Sequence, residues 1–212
     1  MSEFERTPLL SSVASYYSAK LAEFGQSPRG VDWNGEHGQR LRFAQLCRII
    51  EQPHGFSVND LGCGYGALLD FLSEGYTGFS YVGVDVSPDM VAAAGQRYTA
   101  RGDARFVLAA SPPEVADYSV ASGIFNVRMD RSVDEWRSYV EQTLHELDRA
   151  SRRGFAFNCL TSYSDAEHMR ADLYYADPCQ LFDLCKRRHG RNVALLHDYD
   201  LYEFTILVRK AP

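Results

Sequence analysis

The sequence predicts an α/β fold: a mostly parallel sheet with helices on both faces and a reversed strand near its C-terminal edge. Three observations predict it. From Val58 onward, short β-rich runs alternate with segments of helical periodicity, the pattern of a parallel sheet with crossover helices. Several of those helical segments open on cap signals: Ser87-Pro88, Ser132 with Glu135, and Asp177-Pro178. The last two apolar runs are separated by too few residues for a parallel crossover, so they must pair antiparallel.

In chain order, Leu9 to Phe24 carries apolar residues at mixed helical spacing and includes Tyr16 and Tyr17. Gly25 to Gly38, "GQSPRGVDWNGEHG", is a loop by its glycines and proline. Gln39 to Glu51 repeats Leu41, Leu46, Ile49 and Ile50 at helical spacing. "SVNDL" is a strand and "ALLDFLSEG" a helix that stops at Gly75. "SYVGVDV" is the next strand, and "SPDMVAAAGQRYTARG" a helix capped by Ser87 and ended by Gly102. "ARFVLA" and "YSVASGIF" are strands. "SVDEWRSYVEQTLHELDRAS" is a long helix with a capping box. "GFAFNCL" is a strand, "DPCQLFDLCKRRHG" a helix, and "NVALLHD" and "YEFTILVRK" a hairpin turning at Tyr199-Asp200. The short basic runs "SRRG" and "CKRRHGR" read as helix C-terminal charges complementing the macrodipole.

Composition bounds the function. The 212 residues are 45% hydrophobic and 24% charged, which suits one soluble domain. The net charge of -6 gives no basic face for nucleic acid. No apolar run is long enough to span a membrane, and the acidic opening "MSEFERTPLL" lacks the apolar core of a signal peptide. The expectation is therefore a cytoplasmic protein. The five cysteines form no CxxC pair, which argues against a disulfide framework or a structural zinc site; no metal is expected.

The chemistry lies in "VNDLGCGYGALLDFL". Gly62, Gly64 and Gly66 are spaced GxGxG rather than the GxGxxG of dinucleotide sites. Glycines after a strand let a ligand pass close to the backbone. Asp60, two residues before the first glycine, would repel a pyrophosphate but attract an ammonium or sulfonium. Asp85 ends the next strand and can accept two hydrogen bonds from vicinal ribose hydroxyls. Both acids stand at strand C-termini, where open α/β sheets bind ligands. A cationic, phosphate-free nucleoside fits both, and S-adenosylmethionine is such a molecule. The alternatives are structural: Asp60 can order its loop through backbone amides, and Asp85 can be a turn residue before Ser87-Pro88.

The order "VNDLGCGYG", "YVGVDVSPDM", "ARFVLAAS", "YSVASGIFN", closed by the terminal hairpin, resembles the class I S-adenosylmethionine-dependent methyltransferases from about Val58 to the C-terminus. The resemblance implies a Rossmann-like seven-stranded, mostly parallel sheet with an antiparallel C-terminal strand, helices on both faces and an N-terminal helical lid. It implies one domain over 1–212, with a cap at 1–52, a core at 53–212 and a substrate-cap insertion at 161–177. It places Gly62, Cys63 and Gly64 against the cofactor, Asp60 near its methionine end, Asp85 on the ribose, and Val86 and Met90 beside the adenine. Ser122, Gly123 and Phe125 would line the sulfonium pocket, with Tyr17 from the lid. The acid that the family often places on the adenine amine is replaced by Ala110 and Ser111, so that contact passes to a backbone group or Ser111. Arg42 can pair with the methionine carboxylate, or remain a solvated helix residue. Cys63 between two glycines reads as a small cofactor-facing filler rather than a nucleophile.

For the acceptor, the N-terminal aromatics Tyr16, Trp33 and His37 and the insertion residues Tyr163, His168, Arg170, Tyr174 and Tyr175 are candidates. Asn158, at the end of its strand, can orient the acceptor. Of these, His168, Tyr175, Asn158 and His37 are the candidate catalytic groups. The competing reading of the aromatics is helix packing on the sheet. The expected reaction is transfer of a methyl group from S-adenosylmethionine to an O or N atom of a small molecule, leaving S-adenosylhomocysteine, by a monomer or homodimer. The ending "HDYDLYEFTILVRK" faintly resembles methyltransferases of bacterial surface-polysaccharide or secondary-metabolite pathways. The alternatives are a protein or nucleic-acid methyltransferase, and a cofactor-binding subunit without its own catalysis.

Overall fold

The computed structural model describes residues 3–211, with side chains from Pro8 to Ala211. Met1, Ser2 and Pro212, part of the expected domain and of the stretch read for a leader, lie outside the described residues. The elements are α1 (Glu3–Phe24), a 3-10 turn (Pro28–Val31), α2 (Glu36–Cys47), β1 (Ser57–Leu61), α3 (Ala67–Gly75), β2 (Ser80–Asp85), α4 (Pro88–Arg97), β3 (Ala104–Leu108), β4 (Ala116–Ala121), α5 (Val133–Arg149), β5 (Ser151–Thr161), a second 3-10 turn (Ala166–His168), β6 (Tyr175–Ala176), α6 (Pro178–Arg188), β7 (Asn192–Leu196) and β8 (Glu203–Arg209).

The strands form one sheet in the order β3-β2-β1-β4-β5-β8-β7, with β6 added beside β5. Strands β1 to β5 pair in parallel, while β8 runs antiparallel to both β5 and β7. The fold class expected from the sequence is thus the one observed. The two-residue β6 is an addition: it pairs with Leu160 and Thr161 as the insertion doubles back.

Alternation along the strands builds two cores, one per sheet face. On β5, Phe155, Phe157 and Cys159 join a cluster with Trp136, Val140 and Leu144 of α5 and Leu181 of α6. Ala156, between them, faces the other cluster, with Leu46 of α2 and Leu69 of α3. This period of two on a sheet buried from both sides explains why the strands read as near-continuous apolar runs. The caps are those the sequence signals. Ser87 Oγ accepts from Met90 N, Ser132 and Glu135 form a reciprocal capping box, and Asp177 accepts from the amides of Cys179 and Gln180.

One charge reading is corrected. Lys186, Arg187 and Arg188 do occupy the last turn of α6, but Arg152 and Arg153 of "SRRG" open β5 instead of ending a helix. At that sheet end they find carboxylates, Asp117 at 3.6 Å and Glu51 at 3.2 Å. The Tyr199-Asp200 turn is also longer than expected, since β7 ends at Leu196 and β8 begins at Glu203.

Helix α1 docks against α4 through Ser18 Oγ and Ser87 Oγ, 2.9 Å apart. It reaches over the C-terminal ends of the parallel strands, and the linker at 25–35 and α2 bring the chain down to β1. The segment after β5 is clamped by Arg128, which donates to the carbonyls of Leu173 (3.1 Å), Ala171 (2.5 Å) and Arg131 (2.5 Å).

Candidate active site

The loop between β1 and α3 turns through three left-handed glycines, Gly62 (φ 76°), Gly64 (φ 55°) and Gly66 (φ 86°). Space as well as φ excludes a side chain here: a Cβ on Gly62 would overlap Ile124 Cγ2, and one on Gly64 would lie 2.9 Å from Val31 Cγ1. Beside this loop stand two buried carboxylates. Asp60 accepts the Tyr81 hydroxyl at 2.6 Å. Burial pushes its carboxyl up to about 7; the Tyr81 hydrogen bond opposes the rise, and Asp85 adds to it. Asp85 accepts Gly64 N on one oxygen and Ser87 N on the other, each at 2.9 Å, which fixes the carboxylate across the loop. Its carboxyl is also raised by burial, against those backbone bonds.

These groups line a cavity roofed by Leu10, Val13 and Tyr17 of α1 and by Val31 and Trp33 of the linker. Of the residues expected around the cofactor, Asp60, Gly62, Cys63, Gly64, Asp85, Val86, Met90, Ser122, Gly123 and Tyr17 are brought together here. Three are not. Arg42 turns away to Glu203, donating from Nε (2.9 Å) and Nη2 (2.6 Å). Phe125 points into the core against Tyr139 and Phe157, because Trp136 Nε1 donates to its carbonyl at 2.8 Å and holds the loop there. Ser111 lies in a separate surface groove with Pro112 and Glu146, leaving Ala109 and Ala110 as the wall after β3. Ile124 takes the place expected for Phe125. Gln39, which sequence reasoning missed, had a signal: it is the polar member of the buried face Gln39, Phe43, Leu46, Cys47 on α2.

A second cavity of about 480 Å³ adjoins the first and shares Tyr17, Val31, Trp33 and Gly123 with it. Trp33, His168, Arg170 and Tyr175, expected around the acceptor, line it. Tyr16 stands behind its wall, donating to Asp32 at 2.8 Å, and Lys20 meets the other Asp32 oxygen at 2.9 Å. Asn158 is fully buried and already bonded on both sides, to Gly123 N and to Glu203. His37 is exposed on α2, Tyr163 is 69% exposed beside His197, and Tyr174 is buried in the core; none of the three reaches the cavity. Asp32, Asn126, Ser164, Asp200, Tyr202 and Glu203 do, and were missed. Asp32 (φ 60°) and Asp200 (φ 52°) hold left-handed backbone, which aspartate tolerates better than most residues. Burial raises the Tyr17 phenol, with the nearby Asp32 charge adding to it, so Tyr17 is a neutral donor and not a base. Among the described residues no group of three His, Cys, Asp or Glu side chains could hold a metal ion.

Comparison with known proteins decides the family. Residues 58–154 match a family described as a methyltransferase domain. A protein of Mycobacterium tuberculosis that bears a methyltransferase name is 63% identical over 164 residues, covering 77% of this chain and 99% of the relative. The chain belongs to the methyltransferases. Among solved structures, the N-methyltransferase NodS of Bradyrhizobium japonicum with S-adenosylhomocysteine aligns with a TM-score of 0.67, over 94% of this chain and 98% of that one, at 14% identity. The magnesium protoporphyrin IX methyltransferase of Synechocystis, also with S-adenosylhomocysteine, gives 0.66 over 98% and 100%, again at 14% identity. At that identity the likeness concerns the fold.

The first cavity of this methyltransferase fits its cofactor on its own evidence. Burial raises the Asp60 carboxyl, and an ammonium or sulfonium placed beside it would offset that cost. Ser122 Oγ lines the same cavity, buried and without a hydrogen-bond partner among the described residues. Cys63, by contrast, is inert there: burial raises its thiol, which weakly contacts the Gly64 carbonyl at 3.5 Å.

Proposed function

We propose that this methyltransferase acts on an O or N atom of a small, polar molecule bound in the second cavity. The observation that carries this reading is the shared wall: Tyr17, Val31, Trp33 and Gly123 belong to both cavities, so a ligand in one abuts a ligand in the other. In this reading Asp60 takes the cofactor's ammonium, Asp85 the ribose hydroxyls, and Val86, Met90 and Ala110 surround the adenine. Residues 1–52 act as the cap and 161–177 close the acceptor side. S-adenosylmethionine supplies an activated methyl group, so the chain needs to align the acceptor, exclude water and, for a hydroxyl acceptor, receive a proton.

The chain's own groups suit those tasks. Tyr17 remains protonated and can donate to the acceptor without competing for the methyl group. His168 is the cavity's imidazole within the insertion, its ring 5.7 Å from that of Tyr202. Carboxylates at Asp32 and Asp200, with the aromatic faces of Trp33, Tyr175 and Tyr202, favour a hydroxyl-rich acceptor. Such an acceptor suits a bacterial surface-polysaccharide or secondary-metabolite pathway. The enclosure and the acidic chain weigh against RNA or a folded protein as acceptor.

The test is radiolabelled methyl transfer into fractionated bacterial extract. Label in the low-mass fraction is the expected result. Label confined to RNA or protein would overturn the acceptor class while leaving the cofactor assignment intact.

A further inference from the structure

Five residues close a ring around the wall between the cavities. Gly123 donates its N–H to Asn158 Oδ1 at 2.7 Å. Asn158 Nδ2 donates to Glu203 Oε2 at 2.6 Å. Glu203 receives the bidentate Arg42 guanidinium, whose central carbon lies 3.9 Å from the centroid of the Trp33 ring. The Trp33 ring in turn covers Gly123, occupying the place where a Cβ would stand. Trp33 and Gly123 are two of the four residues that both cavities share.

The ring is built around one carboxylate. Glu203 opens β8, next to β5 in the sheet, and its side chain is 1% exposed. A charge so placed needs a reason, because a buried ion pair adds little stability over an apolar pair of the same size. What it adds is direction. A bidentate bond fixes the plane of the guanidinium, and that plane is what the indole stacks on. On the other side, the Asn158 amide has one workable orientation, since its oxygen meets an N–H and its nitrogen a carboxylate. One carboxylate therefore sets both faces of the wall, the indole through Arg42 and the backbone through Asn158.

We propose that Glu203 is a positioning residue for methyl transfer, holding Trp33 and Gly123 in register so that cofactor and acceptor meet across one fixed gap. The inference rests on the reading of the two cavities as cofactor and acceptor sites. It also changes two roles. Arg42 serves Glu203 and Trp33 rather than the methionine carboxylate, and Asn158 holds Gly123 rather than the acceptor.

The experiment compares wild type, Glu203→Gln, Arg42→Met and the double variant, in the full chain. The double variant removes both charges, so no unpaired ion is left to unfold it. The Trp33 signal is taken as the fluorescence lost in Trp33→Phe, which separates it from Trp136. Acrylamide quenching of that signal is read in the free protein, and calorimetry with S-adenosylhomocysteine reads the cofactor side. The expected result is several-fold greater quenching of Trp33 in each variant and about tenfold weaker S-adenosylhomocysteine binding. The double variant should lose no more than the worse single one, as members of one unit do. Its melting temperature should stay within about 5 °C of wild type. Unchanged Trp33 quenching in the folded double variant, or losses that simply add, overturns the proposal. Absence of S-adenosylhomocysteine binding by wild type overturns the reading of the first cavity instead, while the quenching still decides whether Glu203 places Trp33.

Discussion

The two cavities are made in different ways. The first is assembled mainly at the C-terminal ends of parallel strands, by residues close in sequence to a strand end: Asp60 and Gly62 at the end of β1, Asp85 and Val86 at the end of β2, Ser122 and Gly123 after β4. The second is assembled mainly from four connections, the α1–α2 linker, the segment after β4, the segment after β5 and the β7–β8 loop. A site of the first kind inherits its geometry from the sheet. A site of the second kind has to be cross-braced, and Tyr16–Asp32–Lys20, Arg128 and Arg42–Glu203 are the braces. The difference teaches why local sequence places the first site, while the second depends on long-range pairing.

The comparison breaks most severely at Gly62. Gly62→Ala demands a left-handed alanine whose Cβ overlaps Ile124, and should weaken S-adenosylhomocysteine binding by about 100-fold or more in calorimetry. Next is Asp85→Ala, which deletes the carboxylate and frees two loop amides; about 30-fold weaker binding is expected. If it leaves binding intact, the first cavity is not the cofactor site.

Asp60 gives the third effect. Because its carboxyl is raised to about 7, it is largely neutral at lower pH and cannot hold a cation; S-adenosylmethionine affinity should rise up to about tenfold from pH 6 to pH 8. Asp60→Asn should flatten that profile. In the free protein the sign is opposite: the stability from keeping Asp60 neutral is complete below the unfolded carboxyl pKa and is lost as pH rises through about 7. A fourth, smaller effect belongs to the bracing. Tyr16→Phe removes one hydrogen bond to Asp32 and should cost about 1 kcal/mol in chemical denaturation, sparing S-adenosylhomocysteine affinity. The smallest is Tyr163→Ala, at a 69% exposed position, expected to move stability by less than about 0.5 kcal/mol.

The same contrast explains what the sequence makes legible. Asp60, Asp85 and the glycines are readable because strand, turn and helix follow one another within a few residues, so local rules place them. Caps such as Ser87 and Asp177 are readable for the same reason. Arg42 was misread because its partner stands 161 residues away, where no spacing rule reaches. Phe125 was misread because the turn after β4 is set by Trp136, a residue of the next helix. Asp32 and Asp200 carry no motif at all; their positive φ values exist only in the folded chain.

The place of β8 in the sheet has a consequence for synthesis. It lies between β5 and β7, both of which leave the ribosome before it. Until it emerges, the edge of β5 is an unpaired template, open to pairing with another chain. Glu203 opens that same strand, so Arg42 must wait through most of translation for its counter-ion. The strands that carry the first cavity, β1, β2 and β4, can thus assemble early, and the second cavity is completed by the last strand to arrive.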